Sequence, residues 1–200
     1  MRKRAGVLLF ALGAAVLTAA FIRGAQTAAD DAAAGQASAE ILSQFYVDAA
    51  ANEERSSALD APPRAESAAA AEETAEEAAP VCFGALSIPA IGLELPVLQT
   101  WTDGNLELAP CRQFGAADTG DLVIAGHNYR SQFYRLRDLS IGDAVTFLDW
   151  SGAEHVYAVA KLETIAPDDV AAVQSAAYPL VLYTCTPGAK ARVAVYCNYA

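Results

Sequence analysis

From Cys82 to the end of the chain, seven short apolar runs alternate with turn-forming residues, and this constrains the fold more than anything else in the sequence. The runs are "CFGALSIP", "LELPVLQ", "DLVIAGH", "AVTFLDW", "EHVYAVAKLETI", "PLVLYT" and "ARVAVYC". They are rich in β-branched and aromatic residues and bounded by Gly, Pro, Asp and Ser, so each reads as a β-strand. A set of short strands must protect its edges, and closing them into a barrel does so. An all-β domain over residues 81–200 is expected, formed as a closed barrel of about eight strands with one or two short helices. Phe133, Leu136 and Leu139 recur every third residue in "SQFYRLRDLSI", which predicts a short helical turn covering one barrel end.

The preceding residues are of another kind. "MRKRAGVLLFALGAAVLTAAFIRGA" carries a basic cluster, then an uncharged apolar run from Ala5 to Ile22, then Arg23. The run approaches the length of a short bilayer-spanning helix and exceeds the usual core of a signal peptide. An uncleaved signal-anchor over residues 1–24 is therefore expected, with cleavage near Gly24 and Ala25 as the alternative. Arg2, Lys3 and Arg4 outweigh Arg23, which leaves the N-terminus in the cytoplasm and the β-domain outside the cell membrane.

Residues 25–80 are dominated by alanine and acidic side chains and hold most of the net charge of −11. The acidity thus describes a linker and does not imply a cationic substrate. Ile41, Leu42, Phe45 and Tyr46 within it have the spacing of a short amphipathic helix. The remainder reads as a spacer that holds the domain off the membrane.

Two strand ends carry the chemistry. Cys185 closes the run "PLVLYT" just before the turn residues Pro187 and Gly188, and Arg192 opens the returning strand. His127 follows "DLVIAG" where that strand breaks into "HNYRSQ". A thiol on a rigid strand end can serve as nucleophile, an imidazole can pass a proton to a leaving amine, and a guanidinium can meet a developing oxyanion. His155, at a strand start beside a turn, reads as a structural residue.

The chain resembles a sortase, one of the membrane-anchored cysteine transpeptidases of Gram-positive bacteria. The resemblance lies in "IPAIGLELPV" (88–97), "LVIAGHN" (122–128), "FYRLRDLSIGDAVTF" (133–147) and "LVLYTCTPGAKARVAV" (180–195). By position it implies that His127, Cys185 and Arg192 are the catalytic trio and that Pro96, Ala125 and Thr184 line or border the groove for a sorting signal. The implied reaction is thiolate attack on a C-terminal signal of LPXTG type, a thioester acyl-enzyme, and its resolution by an amine of a peptidoglycan precursor. Surface proteins bearing that signal and the cell-wall amine are the implied partners; no metal, cofactor or nucleic acid is expected.

The absence of an Asp-Pro-aromatic lid motif, and of a second apolar helix after Ala200, favours the anchoring of single proteins over pilus assembly. Since the chemistry needs Cys185 reduced, any disulfide would join two of Cys82, Cys111 and Cys197, with Cys82–Cys111 ranked just ahead of no disulfide at all. Two rivals are weighed against this. An L,D-transpeptidase would place His-Gly directly before its cysteine, where this chain has Thr184. A catalytically silent, membrane-tethered β-domain that binds cell wall or a partner would have no use for the trio.

Overall fold

The computed structural model describes residues 2–58, 80–174 and 177–200, with the side chains of residues 1–13, 52–58 and 170 outside that set. Eight strands close into one barrel: β1 (Cys82–Ile88), β2 (Leu93–Leu98), β3 (Cys111–Phe114), β4 (Leu122–Gly126), β5 (Ala144–Asp149), β6 (Glu154–Ile165), β7 (Leu180–Cys185) and β8 (Arg192–Tyr199). Around the barrel the order is β1-β2-β3-β4-β7-β8-β6-β5, and β5 pairs with β1 to complete it. The β2–β3 and β4–β7 pairs are parallel and the others antiparallel.

All seven runs read from the sequence are strands. The eighth, β3, falls in "LAPCRQFG", which reads as a loop because Pro110 and Gly115 bracket only four residues. Period-2 alternation sorts the side chains. Leu86, Val97, Leu122, Ile124, Val145, Phe147, Leu180, Leu182 and Val195 fill the barrel, while Val123, Val181, Ala194 and Tyr196 form a second cluster outside it. The predicted helical turn is present as a 3-10 segment, Phe133–Asp138, with Phe133 and Leu136 buried against the core. Two further short helices were not predicted: α2 (Asp103–Leu108) and α3 (Val170–Gln174).

Residues Arg2–Ala58 form a single helix, α1, far longer than the spacing of Ile41 to Tyr46 suggests. Alanine is the strongest helix former, so an alanine-rich tract propagates the helix wherever one stretch of it packs. Here that stretch is the stripe Ala34, Ser38, Ile41, Phe45, spaced four, three and four residues apart on one face. Ala34, Ser38 and Phe45 are buried, and Ile41 packs on Leu98, Ala109 and Cys111. As far as this stripe, the acidic segment therefore packs on the barrel. Small residues permit the close approach: a Cβ on Gly35 would lie 3.2 Å from the Ser131 Cβ. Ser38 Oγ donates to the Leu108 carbonyl at 2.7 Å, satisfying an orphan acceptor at the end of α2.

Among the described residues no helix is long and apolar enough to cross a membrane, and the first half of the run expected to do so lies outside the described side chains.

All four cysteines are free thiols, which corrects the ranking of a Cys82–Cys111 bridge. Leu98 of β2 pairs with Cys82 on one side and Cys111 on the other. The two thiols thus stand two strand spacings apart, roughly 9–10 Å, whereas a disulfide needs Cα atoms within about 7 Å.

Asp31 fastens α1 to the loop after β4. Its carboxylate accepts from the Ser131 amide at 2.9 Å and the Arg130 amide at 3.3 Å, and the Ser131 hydroxyl reaches it too. Burial works to raise the Asp31 pKa, but the bonds from Ser131 and Arg130 outweigh it and hold the carboxyl below its ordinary 3.8. Because the folded value is the lower one, this contribution to stability is complete above the ordinary value and is lost as pH falls through the folded value. Asp31→Ala should cost about 1 kcal/mol near neutral pH, the clasp being half-buried. Thermal unfolding from pH 7 to pH 3 checks this: the gap between parent and variant should narrow in acid, and a gap constant with pH would contradict it.

Candidate functional site

The β4–β7 pair brings the two strand ends together. Its last rung joins Gly126 to Thr184, so His127 follows directly on one strand and Cys185 on its parallel neighbour, at the same end of the pair. On the other side of β7, Cys185 pairs directly with Arg192 of β8. Alternation puts Cys185 and Arg192 on the outer face with Val181, Tyr183, Ala194 and Tyr196. The Tyr183 hydroxyl senses both neighbours: burial raises its pKa, the Arg192 charge lowers it and Cys185 raises it. The trio therefore occupies three consecutive strands at one end of the barrel.

The turn between Cys185 and Arg192 is held from within. The Thr186 amide donates to the Ala191 carbonyl at 2.9 Å, and the Ala191 amide returns a bond to Thr186 Oγ1 at 3.1 Å. Pro187 starts the turn, and Gly188 at φ +77° supplies the left-handed step that suits glycine.

His127 is fixed at its main chain. Its amide donates to Gln132 Oε1 at 2.9 Å and its carbonyl accepts from the Phe133 amide at 3.1 Å. Its ring lies 4.8 Å from that of Tyr129. Gly126 is required just before it, since a Cβ there would meet the Phe133 ring at 2.6 Å. Burial lowers the imidazole pKa from its ordinary 6.5, opposed by the carboxylates of Glu107 and Asp103 on α2. The resting imidazole is accordingly mostly neutral near pH 7.

Next to Arg192 a cavity of about 180 Å³ is walled by Tyr183, Trp101, Gln113 and the β6–β7 connection at Pro167 and Val173. A larger cavity, about 790 Å³, is elsewhere, between α1 and Val81, Cys82 and Trp150. It contains no histidine, and its one thiol, Cys82, is raised by burial. It lacks the groups for acyl transfer.

Of the residues expected to border a groove, Ala125 lies on β4 between Cys111 and Tyr183, on the outer face and beside the trio. Thr184 alternates with Cys185 and faces the barrel interior, 2% exposed, its Oγ1 without a partner among the described residues. Pro96 is buried in β2, paired with Ala85, two strands from β4 and thus apart from the trio. His155 has the structural place expected of it, with Nε2 2.9 Å from Asp149 Oδ2 in the β5–β6 hairpin. Among the described residues no three His, Cys, Asp or Glu side chains gather as metal ligands.

Sequence reasoning passed over Tyr183, Trp101 and Gln132. Tyr183 could have been found, because it sits two residues before Cys185 and shares its face. Trp101 and Gln132 reach the site through loops whose path no periodicity encodes.

The family model for the sortase domain matches residues 86–200, more than half the chain and all eight strands except the start of β1. The chain belongs to the sortase family. Members of that family are cysteine transpeptidases. Sortase A of Bacillus anthracis is 33% identical over 91 residues, covering 43% of this chain and 43% of the relative's length. The match thus spans less than half of either protein. Among solved structures, sortase A from Corynebacterium diphtheriae superposes with a TM-score of 0.54 at 23% identity, over 62% of each chain. The sortase D5 transpeptidase of Clostridium perfringens gives 0.52 at 20%, over 60% of this chain and 79% of that one. At such identities these two likenesses establish the sortase barrel fold.

The four thiols differ in their surroundings in a way that can be measured. Burial pushes Cys111 and Cys197 up to about 12 and raises Cys82, while Cys185 stands half-buried at a strand end opposite Arg192. Thiolate is the reacting form. Iodoacetamide at neutral pH should modify Cys185 at least about tenfold faster than Cys111 or Cys197. Peptide mapping by mass spectrometry reads this, and equal labelling of all four would contradict it.

Proposed function

We propose that this sortase cleaves a C-terminal sorting signal of LPXTG type and joins the shortened protein to an amine of a peptidoglycan precursor. The observation that carries the reading is the shared end of three strands: the Gly126–Thr184 rung beside His127 and Cys185, and the Cys185–Arg192 pair. In the first half-reaction Cys185 passes its thiol proton to the neutral His127, the resulting thiolate attacks the carbonyl carbon of the Thr-Gly bond, and the electron pair moves to oxygen. Arg192 offers fixed donors to that oxyanion. Its collapse re-forms the carbonyl and breaks the C–N bond, and His127 gives its proton to the departing amine. A thioester to Cys185 remains.

In the second half the acceptor amine attacks the thioester carbonyl and returns a proton to His127. The C–S bond breaks, and the new amide leaves with the thiolate restored. Atoms and charge balance over the cycle without an oxidant or reductant.

The groove residues enter the same proposal unequally. Ala125 has a small side chain on the outer face, which suits the floor of a peptide channel. Thr184 points inward, so its contribution to a bound signal would come through its main chain. Pro96, two strands from β4, would have to act through a signal that extends across β3. The run Ala5–Ile22 is proposed as the membrane anchor, with the barrel outside the cell and α1 leading from one to the other.

The test incubates the purified chain with LPXTG-type peptides and hydroxylamine as a surrogate amine, and follows hydroxamate products by mass spectrometry. Cys185→Ala should abolish both cleavage and transfer while remaining folded. His127→Ala should lose about 10² to 10⁴-fold, the usual worth of acid–base assistance. Arg192→Lys should fail to restore the activity lost in Arg192→Ala, since an ammonium does not reproduce a planar fork of donors. Undiminished turnover by Cys185→Ala would overturn the assignment. A folded chain without turnover on any peptide would favour the silent binding domain.

A further inference from the structure

Gln132 is one of the few polar side chains buried in the domain, at 0% exposure and among the largest that are fully enclosed. Placing an amide there carries a penalty unless its polar atoms are satisfied. They are satisfied by two main-chain groups from different parts of the fold. Oε1 accepts from the His127 amide at 2.9 Å, and Nε2 donates to the Leu106 carbonyl of α2 at 3.2 Å. A carboxamide offers an acceptor and a donor on one fork; leucine offers neither and an ionised glutamate offers acceptors alone.

The consequence for His127 is geometric. With its amide held by Gln132 and its carbonyl by the Phe133 amide, the histidine backbone has little freedom, and only its side-chain torsions remain to be set. The same fork holds α2 at a fixed range, and α2 carries the two carboxylates that act on the imidazole. The other groups facing this region are Tyr129 in the loop, Asp30 and Asp31 of α1 beside Tyr129, and Cys185 and Arg192 on β7 and β8.

We infer that Gln132 is a positioning residue, whose buried carboxamide locks the main chain of His127 to α2 and so holds the imidazole at the open end of β4 beside Cys185. The inference rests on the reading of His127 as the proton-transfer group. Misplacing a reacting group by about an ångström can cost around a hundredfold in rate. Gln132 therefore acts on kcat through His127 and leaves the binding of the signal peptide to the outer face of the barrel.

Two variants test this in the chain of residues 1–200. Gln132→Leu conserves bulk and removes both bonds. Its kcat for hydroxylaminolysis of an LPXTG-type peptide should fall about 10 to 100-fold, with KM changed by less than about threefold. The titration of the His127 ring, followed by NMR, should shift from that of the parent, because the fork sets both the burial of the ring and its distance from the α2 carboxylates. The chain has two histidines, so the His127 resonances are assigned by comparison with His127→Ala. Gln132→Glu is the second variant and carries the test if the leucine variant does not fold. Protonated, its carboxyl again presents a donor and an acceptor; ionised, it turns an oxygen on the Leu106 carbonyl. Its rate relative to the parent should rise as pH falls.

Unchanged kcat and unchanged His127 titration in the leucine variant, or a pH-independent ratio in the glutamate variant, overturn the inference. His127→Ala in the same assay separates the two levels. If that variant is inactive while the Gln132 variants match the parent, only the role of Gln132 is lost; if His127→Ala is fully active, the reading of His127 fails first.

Discussion

The parallel pairing of β4 with β7 is the constraint on which the site depends, because it alone brings His127 to the strand that bears Cys185. Five successive rungs, from Leu122–Leu180 to Gly126–Thr184, fix the register. A slip of one residue would send the outer-face set Val123 and Ala125 inward and expel Leu122 and Ile124 from the core. The site geometry is therefore enforced by the hydrophobic term of the whole barrel. Parallel neighbours also require a long crossover. Here it contains the 3-10 segment, β5 and β6, and those two strands return to close the barrel on β1 and support β8.

Around that pairing, the second layer consists of polar clasps on the loop from His127 to Gln132. From inside, Gln132 binds the loop to α2; from outside, Asp31 of α1 binds it at Arg130 and Ser131. A loop that carries a reacting group gains precision when its backbone groups find partners on more than one rigid element. The same contacts make residues 30–45 of α1 an extension of the catalytic barrel. The helix closes over the β2–β3 side, where it buries Ala34, Ser38 and Phe45.

The strands, and the placing of His127, Cys185 and Arg192 at their ends, were legible because each obeys a local rule. Strand runs alternate and end at turn residues, and a thiol, an imidazole and a guanidinium at strand ends stand out against an apolar background. β3 was not legible, since four residues between Pro110 and Gly115 are too few to display a period. Nor was the reach of α1: its packing face is built of Ala34, Gly35 and Ser38, small residues whose role is to permit contact and which have no hydrophobic signature. Gln132 illustrates the same limit within the site. Its identity matters because of a main-chain amide five residues back and a carbonyl on another helix, and neither is encoded in the neighbouring side chains. The disulfide ranking failed for a topological reason, because sequence proximity of Cys82 and Cys111 conceals the strand that runs between them.

The short turn after Cys185 completes this logic. Arg192 can face the same side as the thiol only if the hairpin returns with Cys185 opposite it; a shift of one residue in β8 would turn the guanidinium into the barrel core. Thr186 prevents that shift by binding Ala191 through both its amide and its hydroxyl, while Gly188 and Ala189 adopt the positive φ values of +77° and +55° that let six residues reverse the chain. The left-handed conformation is unfavourable for alanine by about 1–2 kcal/mol. Such strain survives only where the surroundings over-determine it. Here they do: the antiparallel β7–β8 ladder on one side and the paired Thr186–Ala191 bonds on the other leave the turn no other path, and the placing of Arg192 opposite Cys185 on the outer face follows from the register they impose.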